Sequence, residues 1–111
     1  MTPEALRHSA RSAAAPPAGL AAPLEALWWE AHGDWDRAHG AAQAGEDAGS
    51  AWVHAYLHRV EGDLANADYW YRRAGRQRPA ASLEAEWAAI AAALLPEDAA
   101  GGDPSRSDGT A

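Results

Sequence analysis

Apolar residues recur at helical spacing through the middle of the chain, and no segment alternates in the way a half-buried strand would. Pro23 suits the first turn of a helix that runs to His32, and Gly33 suits the left-handed position that ends one. Asp34 then caps a second helix, whose Trp35, Ala38, Ala41 and Ala42 share a face before it fades near Gly45. Ser50 is the expected cap of a third helix through Glu61, and Gly62-Asp63 repeats the stop and start signals ahead of a fourth that reaches Ala74 or Gly75. Ser82 opens a fifth, with Glu84 and Glu86 near its positive end. Leu83, Trp87, Ile90, Leu94 and Leu95 form its apolar stripe, and Pro96 ends it.

The two Gly-Asp turns belong to an internal repeat. LWWEAHGDWDRAH at 27–39 and YLHRVEGDLANAD at 56–68 superpose on their glycines with a period of 29 residues. Short connections make successive helices antiparallel neighbours, so the expected fold is all-α: two antiparallel helix hairpins and one closing helix, five in total, over residues 20–96. Residues 1–19 (Ala, Ser, Arg and Pro without periodicity) and residues 97–111 (Gly, Asp, Ser and Pro) read as disordered tails.

The core implied by this pattern is small. The chain has no Phe and one Met, so six Trp and three Tyr must supply much of the apolar area, with alanines letting the helices approach. A net charge of −7 argues against a nucleic-acid binder, which needs a basic face. No stretch has the apolar length of a membrane span. The lack of Cys removes thiolate chemistry and fits a reducing, cytoplasmic setting. Phosphate loops, nucleophile elbows and dinucleotide fingerprints are missing, so neither an enzyme nor a cofactor is expected.

The second hairpin, AWVHAYLHRVEGDLANADYWYRRAGRQRP, resembles a tetratricopeptide repeat. Ala55 stands at the close approach of the first helix, Gly62-Asp63 at the turn, and Ala67, Tyr71, Ala74 and Pro79 at the family's alanine, aromatic, alanine and proline positions. The first hairpin matches through Ala26, Trp29, Gly33, Asp34, Trp35 and Ala38, although Ala42 and Gly45 depart from the pattern and the period is short of the usual ~34 residues. The whole core is also similar to small bacterial proteins that bring no known activity. The tetratricopeptide likeness implies a short α-solenoid that binds a protein or peptide segment along the face made by the first helix of each hairpin. Its groove positions fall on Leu27, Glu30 and Ala31, and on Trp52, Tyr56, Arg59 and Val60.

Two sets of residues therefore compete as the site. Trp52, Tyr56 and Arg59 lie at i, i+4 and i+7, one helical stripe of residue types that concentrate binding energy, with Glu30 and Leu27 beside them. The plainer reading places both rings in the core and pairs Arg59 with Glu30. His54 and His58 form an H-x-x-x-H pair that His39 can join from the second helix, as ligands of a metal with Glu61 or Asp63 as base in a hydrolytic site. Against this, imidazoles packed between the helices of a hairpin are ordinary. Asp34 and Asp63 read as caps, and Arg72, Arg73, Arg76 and Arg78 either receive an anion or complement a helix terminus. Leu20, Leu24, Leu27 and Trp28 have no preceding repeat to cover them, which makes a homodimer through that end an expectation.

Overall fold

A computed structural model describes residues 1–96, all helical apart from turns and connections. Six helices follow one another: α1 (Pro3–Ser12), α2 (Ala22–His32), α3 (Trp35–Ala44), α4 (Ala48–Val60), α5 (Leu64–Arg73) and α6 (Leu83–Leu94). No strand occurs among the described residues, and no helix there is long and apolar enough to cross a membrane.

Both Gly-Asp turns are built alike. Gly33 (φ 100°) and Gly62 (φ 86°) adopt the left-handed conformation that side chains rarely tolerate. The next amide then closes back on the helix, Asp34 N to Trp29 O at 2.9 Å and Asp63 N to His58 O at 2.9 Å. Each aspartate then caps the following helix, accepting from Arg37 N at 3.0 Å and Asn66 N at 3.2 Å. The hairpins α2–α3 and α4–α5 result, as the repeat implied.

Three expectations need correction. The helix count is six rather than five, because part of the segment read as a disordered tail, residues 1–19, forms α1. Thr2 accepts from Ala5 N at 3.1 Å to cap it and Pro3 occupies its first turn, while Pro16 and Pro17 fall beyond its end, so the prolines bracket the helix instead of breaking it. Leu6 and Ala10, one turn apart, are fully buried. The third correction concerns α4, which starts at Ala48 rather than at Ser50. Ser50 is buried and donates to Asp47 Oδ1 at 2.6 Å. The expected tail at 97–111 lies outside the described residues.

Helix α4 is the centre of the molecule. Every residue from Trp52 to His58 is buried, because α2, α3, α5 and α6 all pack against it. Ala26, Ala38, Ala55 and Ala67 are wholly inaccessible, the small residues that let the hairpins close. Helix α6 lies against α2 and α4, and α1 against α2 and α6. Leu24, Leu27 and Trp28, expected to need a second copy, are thereby buried within one chain.

Glu86 on α6 ties these layers together. It is 2% exposed, and its carboxylate accepts from Tyr71 Oη at 2.6 and 2.8 Å, from Arg59 Nη1 at 2.7 Å and from Trp52 Nε1 at 3.2 Å. Replacing Glu86 with Ala leaves a guanidinium, an indole and a phenol without their acceptor. Urea denaturation is expected to give a loss of about 3–5 kcal/mol, the usual penalty for breaking one side of a buried pair. A loss under about 1 kcal/mol would mean that Glu86 does not organise the core.

Candidate metal centre

The five residues expected to line a peptide groove are mostly inside the protein. Leu27, Trp52 and Tyr56 are buried; Trp52 and Arg59 are engaged by Glu86, and Arg59 also donates to Ala81 O. The partner of Arg59 is thus Glu86 rather than Glu30. Glu30 stays half-buried and receives the Tyr56 hydroxyl at 3.4 Å. Burial raises the Glu30 pKa despite that contact and the charge of Arg7. The Tyr56 hydroxyl is raised as well, by burial first and then by the charges of Glu30 and Glu86. The face that the stripe presents is covered by α6, whose Trp87 donates to Leu27 O at 3.1 Å.

The opposite side of α4 carries the histidines. His54 and His58 sit one turn apart on α4, and His39 reaches them from α3, so one ring nitrogen from each lies within 4.8 Å of the others. His39 Nε2 and His54 Nε2 are 3.0 Å apart and share one proton. A carboxylate only accepts, so His58 donates from Nδ1 to Glu61 Oε1 at 2.6 Å, and in a neutral ring the lone pair is then on Nε2. Two indoles hold the rings. Trp35 stacks on His39 at 4.8 Å between centroids, and Trp70 on His54 at 3.9 Å. Trp35 is itself fixed by donating to Leu57 O at 3.0 Å.

Ligands of a tetrahedral zinc ion at 2.0–2.1 Å stand about 3.3 Å from one another. The closest pair here, at 3.0 Å, is near that spacing, and the third ring nitrogen lies within 4.8 Å of both. The donor set, three imidazoles with a carboxylate behind one of them, is of the kind that first-row metals take. Glu61, expected as a base, accepts from His58 Nδ1. Asp63, the alternative base, is committed to capping α5. His58, Glu61 and Asp63 also cluster at the α4–α5 turn, but both acids are exposed.

Burial is only partial on the outer side. Between α3 and α5 a cavity of about 460 Å³ is lined by Gln43, Glu46, Asp47, His54, Trp70 and Arg73, among others. The basic run is largely consumed. Arg73 lies over Trp70 at 5.1 Å, Arg76 over Trp52 at 3.4 Å, and Arg78 pairs with Asp68 at 3.1 Å. Reasoning from sequence passed over Trp35 and Trp70 as ring supports. The i, i+4 spacing of Trp35 and His39 was the available signal for the first; nothing local pointed to the second.

No family model, curated protein or solved structure matches the chain.

Desolvation, reinforced by the neighbouring imidazoles, lowers the pKa of His54 to about 4 from 6.5, and lowers that of His39 as well. The unfolded chain therefore takes up protons that the folded chain refuses. Metal-free protein is expected to keep its full stability above pH 6.5 and to lose it progressively between pH 6.5 and 4, and His54→Gln should flatten this dependence. Thermal melts across that range check the sign; a melting temperature that rises on acidification would reverse it.

Proposed function

We propose that this chain binds a divalent transition-metal ion, zinc fitting the donor set best, through His39, His54 and His58. The observation that carries the reading is the convergence of the three ring nitrogens from two helices, one of them backed by Glu61. Three protein ligands would leave a tetrahedral ion one further position. A bound zinc ion would supply Lewis acidity and an activated water, which would give the site the capacity for hydrolysis. The chain's own residues hold the imidazoles in place: Trp35 and Trp70 by stacking, Glu61 by fixing the tautomer of His58.

Isothermal titration with zinc is expected to give one equivalent per chain, and the same should be seen as stabilisation. At about one hundred times Kd the unfolding free energy rises by about 2.7 kcal/mol. His39→Ala, His54→Ala and His58→Ala should each abolish that gain, and Glu61→Gln should weaken affinity by about 10- to 100-fold. If zinc leaves the melting temperature unchanged while each histidine variant lowers it, the imidazoles are structural and the reading fails.

A second reading, a non-enzymatic adaptor that binds a protein or peptide across α2 and α4 in the tetratricopeptide manner, draws support from α1. That helix lies along α2 and α6 as a helical ligand would, held through few residues and joined by a proline-containing connection at 13–21. The contact residues in this reading shift to those beneath α1, with Glu30 and Tyr56 kept from the original five.

A further inference from the structure

The seat of α1 is chemically specific. Helix α1 packs on α2 and α6, and Leu6 and Ala10 are completely buried there. Trp28 Nε1 donates to Ser9 Oγ at 3.1 Å, and His32 Nδ1 donates to Ala10 O at 2.8 Å. Arg7 lies over the Trp87 ring at 4.4 Å, with Nη2 at 3.5 Å from Glu84 O and Nη1 at 3.8 Å from Glu84 Oε2. An indole face and acidic groups receiving a guanidinium are the elements of an arginine pocket.

Arg7 fills that pocket incompletely. A cavity of about 260 Å³ remains between the four helices, lined by Arg7, Arg11, Glu30, Tyr56, Glu84 and Trp87, among others. Glu30, half-buried at its side, makes no ion pair among the described residues and has only the long contact from Tyr56. The cations of α1 therefore leave Glu30 without an ion pair beside an unfilled space. A ten-residue helix is also marginal by itself in water, so α1 is ordered by docking, and releasing it loses little besides these contacts.

We propose that the surface made by α2, α4 and α6 is a binding site for a basic amphipathic helix of a partner protein, one carrying an apolar residue, an adjacent arginine and a small residue one turn on. Helix α1, with Leu6, Arg7 and Ala10, holds that place until the partner displaces it. This inference rests on the adaptor reading and supplies its partner class. The charge of the chain agrees with it, since a protein of net charge −7 attracts a basic segment. A tethered occupant competes at an effective concentration on the order of millimolar, so the unmodified chain should bind such helices weakly.

The test uses the full chain and a fluorescein-labelled peptide of residues 1–14 as the probe, followed by fluorescence anisotropy. Leu6→Glu in the chain should undock α1 and raise affinity for the peptide at least tenfold over the unmodified chain, and Arg7→Ala in the chain, a milder change, should raise it in the same direction. A peptide carrying Arg7→Ala should lose at least tenfold against the Leu6→Glu chain. If that chain, folded by circular dichroism, binds neither peptide, the inference and the adaptor reading both fall. If it binds both equally, the surface takes helices but does not read arginine, and only the inference falls. Should Leu6→Glu not fold, an Arg7→Ala chain with no gain over the unmodified one overturns the displacement.

Discussion

A single buried carboxylate sets the form of this molecule. Glu86 collects donors from α4 and α5 onto α6, and no other described group joins three helices through side-chain hydrogen bonds in this way. Its desolvation is a large cost, offset only because four well-placed contacts, one from a guanidinium, surround it. The consequence reaches well beyond α6. With the Trp52 indole and the Arg59 guanidinium turned inward to Glu86, the stripe at i, i+4 and i+7 of α4 is spent on holding the chain together. The inner face of the two hairpins is thereby closed by the protein itself.

Closing one face of α4 defines what the other can do. The helix is enclosed on all sides, yet its polar groups sort cleanly. Tyr56 and Arg59 serve the junction with α2 and α6, while His54 and His58 turn to α3 and α5. Each burial is compensated differently. The inward set is satisfied by carboxylates and carbonyls, whereas the outward set is satisfied by other imidazoles, by indole faces and by Glu61 at the turn. Imidazoles that satisfy one another make a weak arrangement for ordinary core polar groups, since only one proton lies between His39 and His54 and protonation of either is resisted. In the proposed reading a metal ion would take the place of that shared proton.

Local signals in the sequence account for the parts of this fold that were legible. The Gly-Asp turns and their caps depend on residues three or four apart, and both hairpins follow from them. The convergence of His39 with His54 and His58 was legible for the same reason, because it needs only that α3 pack on α4. Helix α1 was not, since it buries only Leu6 and Ala10 in an alanine-rich background, where helical spacing has nothing to contrast with. The fate of Trp52 and Arg59 was equally hidden. It is decided by Glu86, 34 and 27 residues away, which in sequence looks like one more acid at the positive end of a helix.

The position of the histidines also bears on how the two halves cohere. His39 belongs to the first hairpin and His54 and His58 to the second, so the cluster lies on the seam between them. That seam includes the α3–α4 packing, the close pairing of two alanine-rich surfaces being reinforced there by the Trp35 bond to Leu57 O. An ion held by all three imidazoles would tie α3 to α4 across the repeat boundary, adding to a junction that otherwise relies on α2, α4 and α6 meeting on the far side. Occupancy would then change the coupling of the hairpins as well as the chemistry at the fourth position, because separating α3 from α4 would require a ligand bond to break. A staple at this seam would lie opposite the Glu86 network and add to a small core.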